Sequence, residues 1–300
     1  MNGPAERVAT GDHLKDRHFA AIAKLVEENA GIKLPQTKRT MVEGRLRKRV
    51  RALGLGSLGD YGEFLFDQGG LETEFVHLID CVSTNKTDFF REPSHFDFLC
   101  RTAVPALRRL RGARPARLKI WSAACSIGAE AYTIAMLMQE LAGAARGSSG
   151  ELSFSILGTD ISTQVLAAAR TAIYPASFVS PVPPELQQRY LMRARDPARS
   201  LVRIAPELRR KVRFEHLNLM DESYPFDRDI DVIFCRNVLI YFDPPTQFMV
   251  VSRLASHLRP GGYLILGHSE SMAGTGVAGL GSVAPTIYRT EAARPGRIAA

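Results

Sequence analysis

The spacing of hydrophobic positions changes near residue 115, from a helical period to short apolar runs. Before that point, from Asp16 to about Glu92, apolar residues recur every three or four positions, as in amphipathic helices. The pattern predicts a helix from Asp16 and further helices over Lys38–Leu53, Tyr61–Phe66 and Leu71–Val82. We therefore expect a small all-α domain over residues 1–88.

After Pro115, short apolar runs alternate with helical segments. The predicted strands are Leu118–Ala124, Phe154–Thr159, Asp231–Cys235 and Tyr263–Leu266. The predicted helices between them are Glu130–Leu141, Ser162–Ala172 and Thr246–Leu258. Such alternation favours an α/β domain with a largely parallel sheet, here over residues 89–300. We expect Pro260-Gly261-Gly262 to end the last helix before the last strand.

An insertion at about residues 174–206 interrupts this alternation. It is rich in proline and holds two short apolar pieces, Arg189–Met192 and Leu201–Ile204, which predict a small hairpin. A charged loop of this kind is either solvated or in contact with an acidic partner. The candidate side chains for such a contact are Arg193, Arg195 and Arg199.

The composition is that of a globular protein with excess positive charge. Hydrophobic residues make up 45% and charged residues 23% of the 300 residues, which excludes disorder over the whole length. No apolar run reaches the roughly 18 residues of a transmembrane helix, and the first residues do not form a secretory signal. We therefore expect a cytoplasmic protein. Its net charge of +8 favours an acidic partner, whether nucleic acid, anionic membrane or acidic protein surface.

The cysteines predict no metal and no disulfide. None lies in a C-x-x-C pair or beside a histidine cluster, so neither a zinc site nor a disulfide framework is expected. We expect each to be a small buried hydrophobic residue. They are Cys81, Cys100, Cys125 and Cys235.

The helix predicted over Lys38–Leu53 joins a narrow apolar stripe to dense positive charge. Residues 38–51 contain seven Lys or Arg and a single acid, Glu43. Like charges four residues apart cost about 0.2–0.5 kcal/mol per pair, so a purely structural helix gains nothing from them. The stripe consists of Val42, Leu46, Val50 and Leu53. We predict that Lys38, Arg45, Lys48, Arg49 and Arg51 bind an acidic helix or a phosphate backbone; a solvated charged face is the alternative.

A loop of small residues, Ser122–Gly128, joins the first predicted strand to its helix. Small side chains let a ligand lie against the backbone, and the helix start exposes unpaired N–H groups. The loop lacks the three glycines of the dinucleotide fingerprint and the lysine of a Walker motif. Glu130, in the first helical turn, would repel a pyrophosphate; it suits a cationic ligand or simply complements the helix dipole.

The second predicted strand ends at Asp160, a position from which a carboxylate can accept hydrogen bonds from ribose hydroxyls. Ser162 can cap the next helix, so Asp160 is not needed for that purpose. A cofactor with a ribose and a positive charge but no phosphate is S-adenosylmethionine. The sequence therefore predicts this cofactor between Glu130 and Asp160.

Three further strings carry a family resemblance. They are Thr84–Glu92 (TNKTDFFRE), Cys235–Asp243 (CRNVLIYFD) and the segment Leu258–Glu270, which contains LRPGGYL and GHSE. With the loop Ser122–Tyr132 they resemble the chemotaxis protein methyltransferase (CheR) family, over about residues 16–290. The resemblance implies a helical domain, a class I, Rossmann-like methyltransferase domain and a small β-subdomain inserted in the latter.

The resemblance also implies an activity and its residues. Members of the family use S-adenosylmethionine to methylate γ-carboxylates of particular glutamates on chemoreceptor cytoplasmic helices, at receptor arrays of the inner membrane. The motif match implies cofactor contacts from Asn85, Thr87, Arg91, Glu130, Asp160, Asn218, Leu219, Arg236 and Asn237. As a separate hypothesis, we predict that Arg91 and Tyr241 help to position the carboxylate or the sulfonium.

Two features depart from the family pattern. The cofactor loop reads Gly128-Ala129-Glu130-Ala131 where the family commonly has Gly-Glu-Glu-Pro, so we expect a less rigid loop. In some members the β-subdomain binds a tether peptide from the receptor's C-terminus, next to a short hairpin loop that contains glycine. The loop here, Arg193–Ser200, has no glycine. A tether peptide and direct contact of the arginines with an acidic surface both stay open.

Methyl esterification needs little acid–base chemistry. A glutamate side chain with a pKa of about 4.3 is ionised at neutral pH and is itself the nucleophile. The enzyme has only to align carboxylate oxygen, methyl carbon and sulfur, so no catalytic histidine is predicted. One alternative is an RNA methyltransferase, which the charge favours but the lack of aromatic residues in Lys38–Arg51 does not. The other is a receptor-binding adaptor without cofactor.

Overall fold

The computed structural model describes residues 12–112, 115–145, 151–196, 198–271 and 277–291. The chain divides after Thr84 into two compact units. The described part of the first unit contains the α-helices α1 (Asp16–Ala30), α2 (Arg39–Ala52), α3 (Leu58–Phe66) and α4 (Leu71–Val82), with a 3-10 turn over Gln36–Lys38. Each overlaps a helical run of the sequence, and the described part of the first unit is all-α as expected, although the unit ends at residue 84 and not at residue 88.

The arginines of α2 bond to other elements of the first unit. Arg45 donates to the carbonyl oxygens of Val82 (2.9 Å) and Ser83 (2.8 Å), at the end of α4. Arg49 forms two hydrogen bonds with the carboxylate of Glu74, at 3.0 and 2.5 Å. Glu74 is buried, so this is an interior ion pair. The positive charges of α2 therefore do stabilise the first unit, contrary to the expectation from the sequence.

Other charges of α2 are also paired within the unit. Arg47 bonds to Asp12, and Arg39 bonds to Asp16 and to the buried Glu43. The apolar stripe is buried at Val42, Leu46 and Val50, whereas Leu53 is half-buried. Among the predicted partner-binding residues of α2, Lys48 and Arg51 are exposed; Lys38, Arg45 and Arg49 are half-buried.

The second unit is built on a seven-stranded sheet. Its strands are β1 (Ala116–Ala123), β2 (Leu152–Asp160), β6 (Val212–His216), β7 (Ile230–Cys235), β8 (Leu258–Leu266), β9 (Leu280–Ala284) and β10 (Ile287–Thr290). They lie in the order β6-β2-β1-β7-β8-β10-β9, and β10 runs antiparallel to its neighbours. The major helices are α5 (Pro93–Phe98), α6 (Val104–Arg111), α7 (Ala129–Ala144), α8 (Thr163–Thr171) and α11 (Pro244–Ala255), with a π-helical stretch over Leu99–Ala103.

Apolar side chains cover both faces of this sheet. Along β1, Leu118 and Ile120 belong to one buried cluster, whereas Trp121 and Ala123 belong to the other. Successive strand residues point to opposite faces, so a strand covered on both sides reads as a continuous apolar run. This explains why the sequence revealed the central strands and the α/β class.

The inserted subdomain forms a three-stranded antiparallel sheet of its own, in the order β3-β5-β4. It comprises β3 (Ile173–Pro175), α9 (Pro184–Tyr190), β4 (Leu191–Arg193), β5 (Leu201–Ile204) and α10 (Pro206–Arg209). The predicted hairpin is the pairing of β4 with β5, and β4 is an edge strand.

The strand after α11 begins earlier than predicted. Pro260-Gly261-Gly262 lies inside β8, not before it, and the pairing with β7 shifts register across these residues. Gly261 has a φ of 79°. A Cβ on Gly262 would lie 3.0–3.2 Å from three backbone carbonyl oxygens. The two glycines thus allow an irregularity within the strand, and the expectation that they precede it is wrong.

The thiols are only partly as expected. Cys125 and Cys235 are buried, but Cys81 and Cys100 are half-buried. All four are free thiols. Burial raises the pKa of the Cys100 thiol to about 11, so this thiol stays protonated at neutral pH.

Across the described ranges, no helix is both long and apolar enough to cross a bilayer.

Candidate functional site

The strand order reverses between β1 and β7, which pair with each other in the middle of the sheet. In open α/β sheets, ligands bind beyond the carboxyl ends of the strands at such a reversal. The loops that follow β1, β2 and β7 meet at this edge because the three strands are parallel. Most of the predicted cofactor residues lie in these loops or next to them.

Glu130 joins residues of β1 and β7 at this edge. It lies in the first turn of α7, and its side chain is 13% exposed. One carboxylate oxygen accepts a hydrogen bond from Ser122 Oγ at 2.6 Å, and the other accepts one from Arg236 Nη1 at 2.9 Å. The carboxylate therefore faces the edge with a cation already beside it.

Arg236 is the centre of the network. Its side chain is 2% exposed, and its guanidinium lies 5.3 Å from the centre of the Phe96 ring. Besides Glu130, it donates through Nη2 to Glu92 Oε2 (2.9 Å) and to the carbonyl oxygen of Arg91 (2.6 Å). One buried cation thus holds two carboxylates and the backbone of the segment that precedes α5.

Glu92 is ionised in this setting. Burial alone raises the pKa of Glu92, but hydrogen bonds from Asn237 and Arg236 outweigh it and lower the pKa to about 2. The Asn237 bond runs from Nδ2 to Glu92 Oε1 at 3.0 Å. Asn237 itself has a φ of 60°, which non-glycine residues rarely adopt. Such a conformation persists only where the surroundings hold it.

A second network surrounds Asp160. Its carboxylate accepts the backbone N–H of Ser126 at 2.8 Å and that of Ser162 at 2.9 Å. Ser126, with a φ of 52°, donates through Oγ to the carbonyl oxygen of Asn85 at 2.9 Å. Ser162 caps α8 by accepting from Val165 N, as predicted. Asp160 therefore shapes the small-residue loop after β1.

The remaining predicted residues lie near these networks in the chain but have other contacts. Arg91 donates to the carbonyl oxygen of Lys86 at 3.0 Å. Asn218 forms a turn in which Oδ1 accepts from Met220 N at 3.0 Å. Leu219 is buried, whereas Thr87 and Tyr241 are half-buried, with Tyr241 in a 3-10 turn after β7. Their roles toward cofactor or substrate stay predictions.

Sequence reasoning gave no role to Glu92 and Glu270, although both lie in the strings that carry the family resemblance. Glu92 bonds to Arg236 and Asn237, and Glu270 is buried under the loop that begins at Asn237. Each string, TNKTDFFRE and GHSE, ends in an acid, which was the available signal. Neither string reveals the distant partners, because Arg236 lies 144 residues from Glu92 and Asn237 lies 33 residues from Glu270.

One cluster has the residue types of a metal site. Ligand atoms of Glu92, His95 and His268 lie within 4.8 Å of one another. However, Glu92 is already bonded to Arg236, and a guanidinium 2.9 Å from the carboxylate repels a second cation. Burial, together with Arg236, lowers the pKa of His95 to about 4; the neutral ring is the form that metals bind, so only the positive charge of Arg236 opposes a metal here. We assign no metal to this cluster.

The predicted partner residues of the subdomain lie on its surface. Arg193, Arg195 and Arg199 are exposed. Arg193 and Arg199 line an open groove of about 800 Å³, whose apolar side includes Leu191 and Leu201. The groove therefore combines positive charge with apolar surface.

The chemistry of the edge fits S-adenosylmethionine. Carboxylates suit the ribose hydroxyls and the positive charges of this molecule, and the site offers Glu130 and Asp160. The loop after β1 has neither the glycines nor the lysine that cradle phosphates. The non-glycine residues with positive φ near the edge, which include Ala124, Ser126 and Asn237, indicate a pre-formed site.

Comparison with protein families identifies the class. The family model described as "CheR methyltransferase, SAM binding domain" matches residues 85–279, and "CheR methyltransferase, all-alpha domain" matches residues 17–83. The chain is an S-adenosylmethionine-dependent methyltransferase, in which a helical domain precedes a Rossmann-like catalytic domain in the sequence. More particularly, it belongs to the CheR methyltransferase family.

Individual relatives agree over almost the whole chain. The chemotaxis protein methyltransferase of Borreliella burgdorferi is 38% identical over 290 residues, which cover 96% of this chain and 99% of that one. The proteins of the same name from Salmonella typhimurium and Escherichia coli are each 40% identical over 258 residues, covering 86% of this chain and 85% of theirs. These similarities do not favour the RNA methyltransferase alternative.

Proposed function

We propose that this protein transfers a methyl group from S-adenosylmethionine to the γ-carboxylates of specific glutamates on the cytoplasmic helices of chemoreceptors. The product is a glutamyl methyl ester, and the place of action is the receptor array. The observation that carries the proposal is the identity of 38–40% with chemotaxis protein methyltransferases over 86–96% of the chain.

The charges of the site support a carboxylate acceptor. When bound, S-adenosylmethionine supplies an electrophilic methyl group on a cationic sulfonium. Glu130 and Asp160 are the carboxylates proposed to contact the cofactor, and Arg91 is proposed to offer positive charge to an acceptor carboxylate. That acceptor is ionised at neutral pH, so the residues need only hold oxygen, carbon and sulfur in line. Neutralisation of two opposite charges is favoured where water is excluded.

The test is methyl transfer to receptors with a chemical readout of the product. The full chain is incubated with methyl-tritiated S-adenosylmethionine and membranes that contain chemoreceptors, and methanol released by mild base is counted. We expect base-labile counts in a receptor-sized band, because esters hydrolyse under conditions that leave N-methyl and ring-methyl groups intact. Membranes without receptors are the control. Base-stable counts, or none despite cofactor binding, would contradict the proposal.

Two positively charged surfaces are proposed to contact the receptor. Lys48 and Arg51 are the exposed cations of α2, and an acidic face of a receptor helix is their proposed partner. Arg193 and Arg199 line the groove of the subdomain, beside the edge strand β4. An extended peptide can add to such an edge, so a C-terminal tether of the receptor is the proposed occupant there.

Charge reversal should separate these two contacts. We expect Lys48→Glu with Arg51→Glu to raise the KM for the receptor about tenfold, because two attractive pairs become repulsive, without change in S-adenosylmethionine affinity. Arg193→Glu with Arg199→Glu should weaken methylation only of receptors that keep their C-terminal segment. Lys24→Glu, on α1 with a side chain 75% exposed, is the matched control. An equal effect of the control would contradict both contacts.

A further inference from the structure

A buried carboxylate outside the predicted site holds the loop that follows β7. Glu270 is 6% exposed. Its Oε2 accepts the backbone N–H groups of Asn237 and Gly267, both at 2.7 Å. Its Oε1 accepts that of Leu239 at 2.8 Å and, more weakly, that of Ile240 at 3.4 Å. Glu270 thus bonds to three backbone groups of the segment that carries Asn237 and leads to Tyr241.

These bonds compensate a costly burial. Burial of a carboxylate disfavours its charged form and raises the pKa of Glu270, and the four N–H groups act in the opposite direction. No Lys or Arg of the described residues forms an ion pair with Glu270. A carboxylate is the side chain whose two oxygens can accept all four hydrogen bonds. Its contacts are therefore directed at the loop and not at a charge.

The loop fits closely around Glu270. A Cβ on Gly267 would lie 2.7 Å from Glu270 Oε2, 2.8 Å from Asn237 Nδ2 and 2.9 Å from Asn237 N. All three atoms would be in steric conflict with any side chain at this position, and the two atoms of Asn237 belong to the loop after β7. The same Asn237 amide bonds to Glu92 in the Arg236 network. A displacement of Glu270 or of Gly267 is thereby transmitted to the cofactor edge.

We propose that Glu270 is a positioning residue of the cofactor pocket, which fixes the backbone from Asn237 to Ile240 and so orients the Asn237 and Tyr241 side chains. This inference rests on the proposed function. Glu270 need not touch cofactor or substrate, since it acts through Asn237.

The first test is Glu270→Gln. Glutamine keeps one carbonyl oxygen and replaces the other by an amide donor, which would face N–H groups of the loop. We expect the dissociation constant for S-adenosylmethionine, measured by calorimetry on the full chain, to rise at least tenfold, equivalent to about 1.4 kcal/mol. Asp231→Asn is the matched control. Asp231 is a fully buried carboxylate at the opposite end of the sheet, on β7, paired with Arg111 and Arg259.

The second test changes the loop without touching a carboxylate. Gly267→Ala should raise the same dissociation constant at least tenfold, because the added methyl group displaces Asn237 and Glu270 together. Gly143→Ala is its control, because a Cβ at Gly143 on α7 would meet nothing within 4 Å. The Gly267 variant keeps the inference testable if Glu270→Gln fails to fold. Thermal unfolding of every variant is measured alongside.

Cofactor binding is read without any receptor, so these tests are independent of the receptor assay. Weakened binding in both site variants, with the two controls within twofold of the unchanged protein, supports the positioning role even if receptor methylation fails. Binding within twofold in Glu270→Gln or Gly267→Ala would overturn the role. An equal loss in Asp231→Asn would also overturn it, because the effect would then follow stability alone.

Discussion

Replacement of Arg236 by methionine is expected to raise the dissociation constant for S-adenosylmethionine at least a hundredfold, equivalent to about 2.7 kcal/mol. Arg236 holds Glu92 and Glu130 together through hydrogen bonds of 2.9 Å each, with a side chain only 2% exposed. Removal of one partner of a buried ion pair leaves an uncompensated charge and costs about 3–5 kcal/mol. We therefore expect a similar loss in the free energy of unfolding.

Denaturant unfolding and calorimetric titration measure the two effects on the same samples. Arg236→Lys should give values between those of Arg236→Met and the unchanged protein. It keeps the positive charge, but an ammonium cannot reproduce the planar fork of the guanidinium that reaches both carboxylates. Arg259→Met is the matched control: Arg259 pairs with Asp231 at 3.2 Å, away from the cofactor edge, and is 29% exposed. If Arg236→Met binds the cofactor with an affinity within tenfold of that of the unchanged protein, Arg236 has no major role in the cofactor site.

Much of the fold could be predicted from the apolar pattern. Helix α4 has the predicted bounds, Leu71–Val82, and strands β1, β2 and β7 begin and end within two residues of the predicted runs. These strands are covered on both faces, so burial leaves a continuous apolar signature in the sequence. Helix α4, in contrast, is amphipathic and shows its period directly.

The apolar pattern does not predict the edge strands of the sheet. Strands β6 and β9 bury few of their residues, and β9 is exposed or half-buried throughout. A strand at the edge of a sheet has solvent on one side and needs no apolar run. The predicted start of β8 is wrong for another reason. Pro260-Gly261-Gly262 is typical of a turn, but its pairing with β7 holds it within a strand.

Contacts between distant residues could not be predicted from local patterns. Arg49 meets Glu74, and Glu92 meets Arg236 across 144 positions. A sequence shows that a residue is charged but not which charge it will face. The charge pattern of α2 therefore suggests a binding surface or a solvated face but does not reveal its internal ion pairs, and Glu92 receives no role. Asp160 and Glu130 can be assigned because their places follow from strand and helix ends.

Acid is expected to weaken the fold by several kcal/mol between pH 7 and pH 2, chiefly through His95 and Glu92. Burial, with Arg236, holds the pKa of His95 at about 4 instead of 6.5. Between these values the unfolded chain binds a proton that the folded chain does not, so stability falls as the pH falls. The hydrogen bonds at Glu92 outweigh its burial and hold its pKa at about 2 instead of 4.5. Stability therefore also falls as the pH falls from 4.5 to 2, because the unfolded chain again binds a proton that the folded chain does not.

Each window should contribute about 3 kcal/mol, because one pKa unit is about 1.4 kcal/mol. The measurement is the free energy of unfolding in urea at intervals from pH 7 to pH 2. His95→Gln should flatten the dependence between pH 6.5 and 4, and Glu92→Gln should flatten it below pH 4.5. His77→Gln, at an exposed histidine of α4, controls for the loss of an imidazole. A dependence that persists unchanged in His95→Gln would contradict this origin, since a ring kept neutral by burial beside Arg236 can be charged only at the expense of folding.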